Sequence, residues 1–252
     1  MKKFLGAVIL LVVIGGSVVV YEYEYSPKVK NQEGLSYYKE KNYKKALPLF
    51  EEAAKRGYAP AENNLGYMYD HGWGVPQDYN KALYWYKKAV EQGYAAAEDN
   101  LGLMYVEGKG VPQDYSKAVY WFKKSAEQGS AEGEGLLGYM YEHGLGVPQD
   151  YSKAVYWYKK AAEQGFAVAE NNLGVMYEEG LGLPKDYNKA AYWFKKSAEQ
   201  GNAEGEGILG LMYLGGLGVP KNYEEALYWI KKSAEQGFKP AENLLKSLRS
   251  TP

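Results

Sequence analysis

The chain has 252 residues, 46% of them hydrophobic and 24% charged, a composition that can bury a core and is not that of a disordered polypeptide. Thirty basic against 31 acidic side chains leave a net charge of −1, without the basic excess of a nucleic-acid binder. Cysteine is absent, which excludes disulfides, thiolate nucleophiles and Cys-type zinc sites, whereas 27 tyrosines form an aromatic excess that needs a structural reason.

At the start of the chain, Lys2 and Lys3 precede an uncharged run from Phe4 to Tyr21. Wound as a helix, that run covers about 27 Å, close to a hydrocarbon core of ~30 Å. The lysine pair would stay cytoplasmic and send the rest of the chain across the membrane. Residues 1–27 are therefore expected to be an apolar helix that serves as a membrane anchor, spanning through residues 4–21. A cleaved signal sequence is the alternative. The run is longer than the usual signal core of roughly 7–15 residues, although Gly15-Gly16-Ser17 offers small residues near a cleavage point.

The remainder repeats itself. Trp85, Trp121, Trp157, Trp193 and Trp229 stand 36 residues apart, and so do the Leu-Gly pairs that begin at Leu65, Leu101, Leu137, Leu173 and Leu209. Twelve residues, GVPQDYSKAVYW, occur identically at Gly110–Trp121 and Gly146–Trp157. A catalytic site needs one copy of each group, so repetition of this kind points to architecture.

Each repeat reads as two helices. The second is exemplified by Asp114–Gly129, where Tyr115, Ala118, Trp121, Phe122, Ser125 and Ala126 share one helical face. A cap-competent residue opens it in every repeat (Asn42, Asp78, Asp114, Asp150, Asp186, Asn222), and a glycine closes it (Gly57, Gly93, Gly129, Gly165, Gly201, Gly237). The first helix is exemplified by Ala167–Gly180, with Ala169, Leu173, Met176 and Tyr177 as its apolar face. Gly174 inside it costs about 1 kcal/mol against alanine, which close approach of a neighbouring helix would offset. Loops such as GVPQD carry the Gly and Pro that end helices. Each pair leaves an apolar face that only its neighbour can cover, which is the logic of a solenoid. The recurring aromatics are then core, and Trp157→Ala is expected to cost about 3–5 kcal/mol.

The pattern from Ala61 to Gly93, A-E-x-N-L-G-x-M-Y, then the Gly-Val-Pro loop, then D-Y-x-K-A-x-x-W-Y-x-K-A, resembles the Sel-one-like repeat, a relative of the tetratricopeptide repeat with a longer interhelical loop. The resemblance extends over about residues 32–248. It implies an all-α, right-handed α/α superhelical solenoid over residues 28–252. Six helix pairs would lie at about 31–57, 58–93, 94–129, 130–165, 166–201 and 202–237, followed by a capping helix in 238–252. The first pair lacks the Gly-x-Gly-Val-Pro loop and has Leu49 in place of Trp. The last segment has Lys246 in place of the packing glycine.

Constellations that carry chemistry are scarce. His71 and His143 occupy the same repeat position two repeats apart, too distant to share a metal and read as solvated helix ends. Glu178 and Glu179 point about 100° apart on a helix. No Gly-x-Ser-x-Gly and no phosphate-binding loop occurs. No catalytic residue, metal site or cofactor is assigned, and the chain is read as a non-enzyme. Where core positions repeat, recognition must use those that do not. The first-helix face beside the core reads Asn64, Tyr67, His71; Asn100, Leu103, Glu107; Leu136, Tyr139, His143; Asn172, Val175, Glu179; and Ile208, Leu211. In tetratricopeptide relatives the equivalent helices line a concave groove, and the Asn before Leu-Gly holds a bound peptide. By motif that role passes to Asn64, Asn100 and Asn172, with Leu136 and Ile208 departing from it.

The resemblance implies a protein–protein interaction adaptor of the bacterial envelope, with the solenoid in the periplasm or otherwise outside the cytoplasm. It would take a protein or peptide partner and no nucleic acid. Two alternatives follow from the same resemblance. One is an envelope hydrolase akin to cysteine-rich members linked to β-lactam-like compounds, whose cysteines this chain lacks; the other is a secreted factor in contact with host cells.

Overall fold

The computed structural model describes residues 9–14, 17–22 and 26–250. Its first elements correct the expectation of an N-terminal apolar helix. Strands β1 (Ile9–Ile14) and β2 (Ser17–Glu22) pair antiparallel, with Ile14 opposite Ser17 and Ile9 opposite Glu22. Two physical signals favour strands here. Ile9, Val12, Val13, Ile14 and Val18 to Val20 are β-branched and lose side-chain freedom in a helix. Gly15-Gly16, which joins the two runs, is a two-residue hairpin signal. Among the described residues no helix is long and apolar enough to cross a membrane. Residues 4–8 and 15–16 of the anticipated span lie outside the described ones.

Among the described residues thirteen helices follow, six pairs and a single last helix. The chain forms two compact units, Met1–Asp114 and Tyr115–Pro252, divided between the two helices of the third repeat. In the first unit α1 (Pro27–Lys39), α2 (Tyr43–Lys55), α3 (Ala59–His71), α4 (Tyr79–Glu91) and α5 (Ala95–Glu107) each pack on the next. The first helices of successive repeats also touch, α1 on α3 and α3 on α5. The second unit holds α6 (Tyr115–Glu127), α7 (Ala131–His143), α8 (Tyr151–Glu163), α9 (Ala167–Glu179), α10 (Tyr187–Glu199), α11 (Ala203–Gly215), α12 (Tyr223–Glu235) and α13 (Lys239–Ser250), again each on its successor. The paired order is that of an all-helical solenoid.

The start and stop signals do what their chemistry requires. Asp78, Asp150 and Asp186 each accept the backbone N–H three residues on, and Asn222 accepts two such groups. Asn42 does not cap with its side chain. The first repeat turns too tightly for that: Lys41 takes φ +58° and the Asn42 N–H donates to the Tyr37 carbonyl at 2.8 Å. All six closing glycines adopt φ between +71° and +84°.

The mid-helix glycines are packing sites. A Cβ added at Gly66, Gly138, Gly174 or Gly210 would lie 2.6–2.8 Å from Tyr86, Tyr158, Phe194 or Ile230 of the following helix. Gly34 does the same against Phe50, so the short first repeat keeps the device too. Those partner side chains, together with Phe122, are fully buried.

That assignment corrects the expectation about tryptophan. Trp85, Trp121, Trp157 and Trp193 are only half-buried, and Trp229 alone is buried. The residue following each Trp is the one driven into the core. At the C-terminal end Leu244, Leu245 and Leu248 pack on Ala226 and Ile230, while Lys246 is exposed where a glycine would otherwise meet a ring.

Candidate partner-binding face

The first helices bury Leu and Met on one side and hold the candidate recognition positions beside them. In the first unit this places Asn64, Tyr67 and Leu103 half-exposed, with Asn100 half-exposed and His71 and Glu107 at the exposed helix ends. Because α3 and α5 touch, these two stripes are neighbours. Their asparagines also tie the helices together: Asn64 Nδ2 donates to Asn31 Oδ1 at 2.8 Å, and Asn100 Nδ2 to Asn63 Oδ1 at 2.9 Å. An Asn amide carries two N–H donors and two lone pairs, so one such bond leaves each side chain with capacity for a ligand.

In the second unit Tyr139, His143, Glu179 and Leu211 are exposed, and Asn172 and Val175 half-exposed. The structure brings Asn172 onto the Tyr158 hydroxyl, which itself donates to Glu142 Oε2 at 2.6 Å. Three helices, α7, α8 and α9, are joined at that hydroxyl. Burial and the adjacent Glu142 raise its pKa, so it is a permanent donor. Both histidines lie flat on the tyrosine one turn earlier, His71 on Tyr67 at 4.0 Å and His143 on Tyr139 at 4.1 Å, with Nδ1 against that tyrosine's carbonyl. Among the described residues no group of three His, Asp or Glu is placed to hold a metal ion.

Sequence reasoning missed two aromatic features. The second helices carry Tyr84, Tyr120, Tyr156, Tyr192 and Tyr228, more than half exposed, each edge-on to the next Trp with ring centres 4.9–5.0 Å apart. Lys88, Lys124, Lys160, Lys196 and Lys232 hold their ammonium groups 5.0–5.9 Å over those Trp rings. These tyrosines are a repeated surface, not core. The second feature is a ring cluster in the first unit. Trp73 meets Tyr43, Tyr38, Tyr67 and His71 at 4.9, 5.7, 5.4 and 4.9 Å. Trp73 stands where the later loops have Lys109, Leu145, Leu181 and Leu217, and that departure was the available signal.

A buried glutamate in the first turn of most first helices is an internal clamp. Buried Glu62, Glu134, Glu170 and Glu206 accept from Gln92, Gln164, Gln200 and Gln236 at 2.6–2.8 Å. Burial holds the Glu62 and Glu170 carboxyls above the usual carboxylate range, against the opposing pull of Lys88 and Lys196. A carboxyl raised in this way favours the fold while protonated, fully so below its unfolded value of about 4.3. That contribution is lost as pH rises through the raised value. Glu170→Gln is therefore expected to raise the melting temperature at neutral pH and to flatten its decline as pH rises above the ordinary carboxylate value. Thermal melts at a series of pH values check both.

Helix pairs of this length, stacked through glycine and aromatic contacts, define an α-helical repeat protein. The Sel1 repeat pattern matches residues 22–58, 59–94, 95–130, 131–166, 167–202 and 204–238, and the chain belongs to the Sel1 repeat family. It is similar to the Sel1 repeat protein of Oxalobacter formigenes, at 37% identity over 86% of both chains with a TM-score of 0.75. It is also similar to c5321, a protective antigen of uropathogenic Escherichia coli with an SLR fold, at 42% identity over 86% of this chain (TM-score 0.73). This chain spans 48% of that structure's length. A 45-residue stretch is 51% identical to HRD3 of Candida glabrata, a component of an ERAD-associated E3 ubiquitin ligase; it covers 18% of this chain and 5% of HRD3.

Proposed function

We propose that the chain is a non-catalytic interaction scaffold whose first-helix faces receive an extended peptide or a partner helix. One observation carries the reading. Beside buried positions that recur unchanged, the position held by Tyr67, Leu103, Tyr139, Val175 and Leu211 is always apolar or aromatic and never buried. Tyr139 is 43% and Leu211 49% exposed, with polar Asn172 and Glu179 on the helix between theirs. Apolar anchors one helix apart, flanked by amide groups, suit either a peptide backbone or an amphipathic helix. The resemblance to HRD3, part of a multi-protein assembly, supports the same reading.

The test is capture of partners by the full chain, comparing wild type with the Tyr139→Asp, Leu211→Asp double variant. Both side chains are outside the core, so helical content is expected to hold while capture falls at least about tenfold, the effect of ~1.4 kcal/mol. Undiminished capture overturns the assignment.

We also infer export from the cytoplasm, supported by Lys2 and Lys3 before the uncharged run that ends at Tyr21. Intact mass of protein recovered from the producing cell separates a retained segment from a removed one. Recovery of the whole chain from the cytosolic fraction rejects export.

A further inference from the structure

Within each unit a second helix drives one large side chain against the packing glycine of the first: Phe50 on Gly34, Tyr86 on Gly66, Tyr158 on Gly138, Phe194 on Gly174 and Ile230 on Gly210. In the fifth helix pair and its relatives that side chain is purely apolar, but in two repeats it is a tyrosine whose hydroxyl must find a partner. Tyr158 finds one in Glu142. Seventy-two residues earlier the same two positions hold Tyr86 and Asp70. The aspartate is one methylene shorter, and the bond is not made. Tyr86 is wholly buried, yet its hydroxyl has no hydrogen-bond partner, and neither has the buried Oδ1 of Asp70. After burial itself, Asp70 is the charge that acts most strongly on the Tyr86 hydroxyl, so the two lie within reach of each other's field. Leaving a buried polar group unsatisfied costs about 1–3 kcal/mol, and native structures keep such groups where something else engages them.

The surroundings say what that would be. Asp70 Oδ2 lies 3.8 Å from His71 Nδ1, much as Glu142 Oε2 lies 4.0 Å from His143 Nδ1, and both carboxylates are partly exposed; what differs is that Glu142 accepts from a tyrosine and Asp70 does not. The other charges that bear on it are Lys109 and Glu107, and these satisfy each other at 2.5 Å. Asp70 thus supplies the net charge of the site. His71, beside Asp70, belongs to a ring cluster: it meets Tyr67 and Trp73, and Tyr38 and Tyr43 meet Trp73 in turn. The second unit repeats Tyr139 and His143 at the matching positions but has Leu145 for Trp73 and a carboxylate already spent on Tyr158. A carboxylate edged by flat aromatic faces is complementary to a planar cation, which can donate two N–H groups to the carboxylate and lay its face on a ring.

We propose that Asp70, with the Tyr67, His71 and Trp73 rings, is a receptor for one arginine side chain of a peptide lying along α3. The site rests on the reading of the first-helix face as a peptide-binding surface and adds a residue preference at its first unit. Glutamate at position 70 would reach Tyr86 as Glu142 reaches Tyr158, spending the carboxylate on the hydroxyl and closing the unmade bond.

The test is NMR titration of the full chain with Ac-Gly-Arg-Gly-NH2, and with citrulline or lysine in place of arginine, following the His71 ring and Trp73 indole signals. The arginine peptide is expected to shift both saturably, the citrulline peptide neither, and the lysine peptide at least several-fold more weakly. Asp70→Glu is expected to weaken the arginine response at least tenfold while raising the melting temperature, a gain that a merely disruptive substitution does not produce. An absent or non-saturating arginine response overturns the site, as does an equal response to citrulline or lysine, or an Asp70→Glu variant that binds like wild type. If any of these occurs while the Tyr139→Asp, Leu211→Asp variant still loses its partners, the arginine site alone is rejected and the binding face stands.

Discussion

Tyr158→Ala is expected to destabilise the second unit by about 3–5 kcal/mol, and Trp157→Ala by only about 2–3 kcal/mol, although tryptophan is the larger side chain. The order follows from which residue is inside. Tyr158 is fully buried against Gly138, whereas Trp157 keeps part of its ring in water beside Tyr156 and Lys160. An aromatic side chain hides roughly 150–250 Å² when fully buried, and only the hidden part counts. Tyr158 also carries the hydroxyl that joins Glu142 and Asn172. Tyr158→Phe removes that group alone and is expected to cost about 1–2 kcal/mol, because two polar partners lose their shared bond. Urea melts followed by circular dichroism give all three values. A Trp157→Ala cost equal to or above that of Tyr158→Ala would contradict the burial assignment.

The same pair shows how far the sequence could be read. Repetition made the helices legible, since six copies of a cap and a stop outweigh any single ambiguous residue. It could not decide between Trp157 and Tyr158, which are 100° apart on the helix and both inside the apolar arc. Only the glycine on the facing helix decides that. The N-terminal run was misread because its length was weighed above its local chemistry; Gly15-Gly16 between β-branched runs is a hairpin signal that a count of apolar residues does not contain. The candidate stripe was chosen from what varies between repeats, and the structure leaves those positions half-buried or exposed. The Asp70–Tyr86 mismatch was not legible, because it turns on one methylene, and Trp73 was not, because a residue that occurs once has no periodicity to announce it.

Gly174→Ala is expected to destabilise by about 1–3 kcal/mol despite placing the best helix former where one of the worst now stands. Intrinsic propensity alone predicts a gain of about 1 kcal/mol. Against it, the new Cβ would sit 2.8 Å from Cδ1 and Cε1 of the fully buried Phe194 ring, which has no free space into which to retreat. Gly165→Ala destabilises for a different reason: nothing lies within 4 Å of its Cβ, but its backbone is held at φ +80°. A second substitution separates the two mechanisms. Phe194→Leu removes the clashing ring carbons, so it should harm the Gly174→Ala protein less than it harms wild type, with a coupling of about 1 kcal/mol or more. It should leave the effect of Gly165→Ala additive, since the left-handed strain is local to the backbone. Additivity at Gly174 would mean that the glycine serves the helix's own conformation. The close approach of the two helices within a repeat would then need another cause.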